Sequence, residues 1–263
     1  MEFHPNDWLG RWQNFESYIT STDPYLQLAW QEAEAAAAAL PMFKSGAKQF
    51  WQMACVTTSI GNPHTLGGGT ITPADGGKLC IAWTDADGNT LGRAVYHLDH
   101  VLERGLEGKE NALFVAEDVP ADWPFRCLLA MEPMPPRAAR LQGGLLSHLH
   151  FQYASGPEHL FDPDTHALRS PLWYATMCDG DGTLLEQCPI VRALHHLPVW
   201  EELPELGEDK IKAIRVWCRI AFFIACSGGI HPSREQSGSR SVPRSGQDRS
   251  LQPFIKWLCR EGS

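Results

Sequence analysis

Hydrophobic and polar positions change their period along this chain, and the changes mark out its elements. Trp8-Leu9-Gly10-Arg11-Trp12-Gln13 opens on aromatic residues, and Phe15 and Tyr18 extend it as an aromatic strand. Asp23-Pro24 carries helix-start chemistry: an aspartate cap and a proline at the first helical position, where its missing N–H costs nothing. The pattern predicts a helix over Tyr25–Leu40, ended by Pro41, and a second over Lys44–Ala54. After Gly67-Gly68-Gly69 the period shortens to that of strands. Leu79–Trp83, Leu91–His97, Ala112–Ala116, Phe125–Met131 and Leu145–Tyr153 are the expected strands, and Asp85-Ala86-Asp87-Gly88-Asn89 is a hairpin connection. The glycine run is not a phosphate loop, because no Gly-Lys-Ser/Thr follows it. Trp173-Tyr174 predicts another strand, Leu184–Leu197 a helix, and Lys210–Cys226 a helix with basic flanks. Evenly spaced antiparallel strands after a helical insertion point to a barrel or a sandwich.

Composition adds two constraints. At 263 residues, with 43% hydrophobic positions and ten tryptophans, most of the chain can bury a sizeable core. The net charge of −9 is unevenly spread: Lys210 to the end carries +7 and residues 1–209 carry −16. An acidic body argues against a nucleic-acid partner, since phosphate contacts need clustered Lys and Arg. Ser227–Ser250 is rich in Ser, Arg and Gly, the composition of a disordered segment or of an aberrant reading frame. The expected division is therefore a folded domain over 1–205 and a basic helix with a largely disordered tail over 206–263, in which Phe254–Leu258 is the stretch able to dock. No apolar run is long enough to span a bilayer. Eight irregularly spaced cysteines without an export signal predict reduced thiols and a cytoplasmic protein.

The candidate chemistry lies in Ser147-His148-Leu149-His150-Phe151. Successive side chains of a strand point to opposite faces, so His148 and His150 share one face and Leu149 and Phe151 the other. Two neutral imidazoles so placed can bind one ion of zinc or a first-row neighbour, or can line a wet face or pocket. A second pair, His97 and Asp99, shares a face if its strand persists. It would suit a ligand with its supporting carboxylate or an acid–base pair, or a strand end running into a polar turn. His159, His166 and His195-His196 are expected in loops or near helix ends, at the surface.

Three segments together resemble the ZinT (YodA) zinc-binding family of calycin-like barrels, over roughly residues 7–155: Trp8-Leu9-Gly10-Arg11-Trp12-Gln13, Asp23-Pro24 at the start of a helix, and Ser147-His148-Leu149-His150-Phe151. Lys48-Gln49-Phe50-Trp51 is similar to the aromatic helix that follows in that family. The resemblance implies a calycin- or lipocalin-like antiparallel β-barrel, with a helical insertion over about residues 23–54 between its first two strands. It also implies a divalent transition metal, zinc above others, on His148 and His150. Where the family has a third histidine on the preceding strand, this chain offers Glu132, which gives an expected His148, His150, Glu132 ligand set with one open position. A metal in the barrel mouth, to be buffered, carried or sensed, is one function this implies. The alternative is a barrel interior that binds a small apolar molecule, or acts on it as a lyase or isomerase with histidines as acid–base groups. Metal analysis of the purified protein separates the two.

Overall fold

The strands turn one face of each toward a shared apolar interior. The computed structural model describes residues 3–56, 66–139, 141, 145–170, 175–214 and 216. Eight antiparallel strands form a closed barrel in sequence order: β1 (Gly10–Asn14), β2 (Leu66–Ala74), β3 (Lys78–Asp85), β4 (Thr90–Leu102), β5 (Asn111–Ala116), β6 (Cys127–Ala130), β7 (His148–Ala154) and β8 (Ala175–Asp179). The expected calycin-type barrel with its insertion between the first two strands is thus the observed fold. The inward residues form one buried cluster that includes Trp12, Ile81, Trp83, Tyr96, Phe114, Phe151 and Tyr153. Trp83 stacks on Phe125 with ring centroids 4.8 Å apart, and its indole N–H donates to the Tyr96 hydroxyl at 2.9 Å. These rings fill the barrel axis, the space in which the apolar-ligand alternative would have to seat its molecule.

The glycine run belongs to β2, a strand the sequence pattern did not mark. It is tightly hemmed in: a side chain on Gly67 would collide with the Asp85 carbonyl, and one on Gly68 with the Trp12 carbonyl. Glycine is what lets β1 and β3 approach β2 from both sides. The other missed strand is β8, whose pairing with β1 and β7 closes the barrel.

The insertion builds a helical layer on the outer wall. Helices α1 (Glu16–Thr20), α2 (Pro24–Ala37), α3 (Ala47–Val56) and α5 (Leu184–Ala193) share a cluster with Phe15, Trp30, Phe43, Cys178 and Val191; α4 (Pro157–Leu160) packs elsewhere. Asp23 caps α2 as expected, accepting from the N–H groups of Tyr25 at 2.8 Å and Leu26 at 3.3 Å. Tyr18 departs from expectation: it sits on α1 rather than on an extended strand, because the chain turns at Phe15. Thr183 and Glu186 form the reciprocal cap of α5, which ends at Ala193, short of the expected Leu197. Residues 208–214 are helical. The Trp173-Tyr174 strand, most of the Lys210–Cys226 helix and the whole tail with Phe254–Leu258 lie outside the described residues. Among the described residues, no helix is long and apolar enough to cross a membrane.

Candidate functional site

His148 and His150 occupy the outer wall of the barrel, not its mouth. Leu149, Phe151 and Tyr153 are the larger apolar set on β7 and take the interior, which turns both imidazoles outward. The rings lie 5.4 Å apart, centroid to centroid, tilted by 44°. They stand in a partly covered recess beside a third buried cluster, Leu106, Leu113, Leu129 and Met131, with Met134 at its edge.

Each imidazole is oriented by an oxygen acceptor. The Nδ1 of His150 lies 2.8 Å from Glu107 Oε1, and the Nδ1 of His148 lies 3.2 Å from the Leu146 carbonyl oxygen. A carbonyl or an ionised carboxylate can only accept, so both Nδ1 atoms carry a proton. An oxygen acceptor on Nδ1 that fixes the ring plane is a common setting for a metal-ligating histidine. Burial, with His150 beside it, pushes the His148 pKa down to about 4, so His148 is in its neutral, ligating form at neutral pH.

Glu107 was not visible as a candidate from the sequence. It follows Leu106 in a single tight turn, with a positive φ of 57° that non-glycine residues seldom adopt, and its carboxylate is almost fully buried. Its second oxygen faces the Lys109 ammonium at 3.5 Å. The one sequence signal was a charged residue before Gly108, which alone says nothing about where the carboxylate goes.

Glu132, the expected third ligand, is placed differently. Ala130 pairs with Phe151 whereas Met134 pairs with His148, so the chain between gains one residue, and Glu132 lies in that bulge. Glu107 is the carboxylate that reaches the histidines, and it does so from the outer side, through Nδ1. Among the described residues, no three His, Cys, Asp or Glu side chains stand together as metal ligands. Cys178 pairs with His148 across the β7–β8 ladder, but burial pushes its thiol up to about 12. A protonated thiol is a poor ligand.

His97 and Asp99 do not form a pair. The β4–β5 register shifts between Leu98 and His100, which breaks the alternation at Asp99. Asp99 instead meets His100 at 2.6 Å, and His97 lies 3.1 Å from Glu117, whose carboxylate is held by Lys78 at 2.8 Å. Of these groups Glu117 borders an open surface groove of about 420 Å³, lined also by Cys80, Arg93 and Asp118.

His195 corrects the expectation of a surface residue: it is buried in the helical layer. Its Nδ1 donates to the Val191 carbonyl at 2.7 Å, and its Nε2 accepts from the Trp51 indole N–H at 3.1 Å. Burial lowers its pKa, so the folded protein takes up this proton less readily than the unfolded chain does. The stability it confers is therefore complete above the unfolded pKa of about 6.5 and declines as pH falls below that value. Urea unfolding should give a lower stability at pH 5 than at pH 7, and His195→Gln should flatten that slope. An unchanged slope in the variant would contradict this account of His195.

No family model, curated protein or solved structure matches the chain.

Proposed function

We propose that the protein binds a divalent transition metal, zinc above others, at His148 and His150 on the outer wall of β7. The observation that carries this reading is two imidazoles 5.4 Å apart on one face of β7, each with its Nδ1 held by an oxygen acceptor. The likeness to ZinT barrels in Gly10–Gln13, Asp23-Pro24 and the His-x-His strand supports it. Glu107 would hold the His150 ring and raise its basicity, while positions not filled by the chain take water or a donor from a passing ligand. Such a site exchanges its ion, as suits a buffer or carrier; a closed four-ligand site would serve the fold instead.

Titration calorimetry with zinc tests this. His148→Ala and His150→Ala should each weaken binding at least about tenfold, because one imidazole alone is a weak ligand; tenfold corresponds to about 1.4 kcal/mol. Glu107→Gln should cost about tenfold, the usual effect of removing a group that orients a ligating histidine. Glu132→Ala should leave affinity unchanged. Wild-type protein that binds no zinc at micromolar concentration would end the metal reading.

A further inference from the structure

We infer that the groove on the outer wall of β3 and β4 binds a small zwitterion, an α-amino acid with an apolar side chain, whose carboxylate pairs with Arg93 and whose ammonium pairs with Asp118. The site is separate from the histidine pair, which lies on β7. Across the β3–β4 ladder Cys80 stands opposite Val95 and Ala82 opposite Arg93, so Arg93 is the diagonal, same-face neighbour of Cys80. The guanidinium spans that diagonal, and its Nε donates to the Cys80 sulfur at 2.9 Å. Cys80 is itself buried, so this contact fixes the head of an otherwise exposed side chain. Both terminal NH2 groups of Arg93 are left without an acceptor among the described residues. Two parallel N–H groups on one guanidinium match the two oxygens of a carboxylate.

The turn after β5 supplies the other charge. The Glu117 N–H donates to the Val95 carbonyl at 2.8 Å, which holds this turn against β4. Asp118 follows with a φ of 54°, a left-handed conformation that aspartate tolerates better than most residues. The two carboxylates of the turn differ in what they touch. Glu117 is occupied by the Lys78 ammonium, at 2.8 and 2.9 Å, and by His97 at 3.1 Å. The Asp118 carboxylate has no partner among the described residues. Arg93 and Asp118 therefore line one groove with opposite charges and do not pair with each other, as suits a ligand that carries both complements. An anion alone would be repelled by Asp118 and a cation alone by Arg93, so a molecule with both charges is favoured over either. Val95 and Val119 add apolar side chains to the lining. The volume of about 420 Å³ falls in the range of roughly 300–1,000 Å³ typical of small-molecule sites.

The test titrates L-leucine into full-length, isotope-labelled protein at low ionic strength and follows backbone amide shifts by NMR. Isocaproate and isoamylamine serve as controls, because each is leucine without one of its two charges. Leucine should shift the amides of Arg93, Val95, Glu117 and Asp118 saturably, with a dissociation constant on the order of 1 mM, since exposed ion pairs contribute modestly. Each control should bind at least about fivefold more weakly than leucine. Arg93→Gln should weaken leucine at least about fivefold and leave isoamylamine no weaker than before. Asp118→Asn, in which asparagine accepts the same positive φ, should weaken leucine similarly and leave isocaproate no weaker than before. Both positions are exposed, so the fold should be retained, as circular dichroism will report. The absence of a saturable shift at these amides overturns the site. Controls that bind as well as leucine, or a loss of affinity in only one of the two variants, overturn the zwitterion as its ligand.

Discussion

Replacing Trp83 by alanine is expected to lower the stability of the protein by about 4 kcal/mol, the range found for deleting a large buried aromatic. Trp83 is fully buried at the centre of the barrel, stacked on Phe125 at 4.8 Å and on Phe151 at 6.4 Å. Its loss removes those contacts and leaves a void lined by rings that cannot collapse together, because the surrounding strands form a closed wall. It also deprives the Tyr96 hydroxyl of a donor, although that hydroxyl still donates to the Phe125 carbonyl at 2.5 Å. For a chain of this size the thermal midpoint should drop by roughly 10 °C or more. Trp83→Phe, which keeps most of the apolar area, should cost less than half as much. A fall below about 2 kcal/mol in the alanine variant would mean that the interior is loosely filled, and the reading of the barrel as a container for an apolar molecule would return.

The second large effect is expected at Arg137. Its guanidinium lies over the Trp12 ring at 4.8 Å and meets Asp179 at 2.9 Å, with Asp181 at 3.6 Å. The Asp179 carboxylate is almost fully buried and has little water to fall back on, while the Arg137 side chain is mostly covered. Arg137→Met removes one charge and strands the other, at about 3 kcal/mol, a value typical of breaking a buried pair. The Asp181 backbone N–H, which donates to Asp179 at 2.9 Å, limits the damage but cannot replace a cation. Adding Asp179→Asn to Arg137→Met should restore part of the loss, since no unpaired charge then remains. Chemical unfolding of the two single variants and the double variant measures this coupling. Additive losses would show that Arg137 stabilises through Trp12 alone.

What the sequence by itself determined is what short-range chemistry controls. The α2 start was legible because Asp23 and Pro24 act on the N–H groups immediately after them, and the Asp85–Asn89 turn because Gly88 supplies its positive φ of 85°. That His148 and His150 share a face follows from strand period alone. The barrel was legible as a class because apolar alternation recurs from Leu79 to Tyr153. Local rules failed where another segment decides. The glycines of β2 carry no strand signal of their own, yet they are in the sheet, where the carbonyls of Trp12 and Asp85 leave space for nothing larger. Asp99 falls out of step with His97 through a register shift that only its partner strand β5 reveals. His195, polar and beside a helix end, is buried because Trp51, 144 positions earlier, supplies the donor it needs. The histidine pair combines both cases. Its alternation was local, but its outward direction was fixed by which face of β7 the closed barrel swallowed. Its carboxylate was fixed by a turn 43 positions away, at Glu107, rather than by the nearer Glu132. A strand's period is written in its own residues, whereas what stands opposite each side chain is set by closure of the barrel, which no single segment encodes.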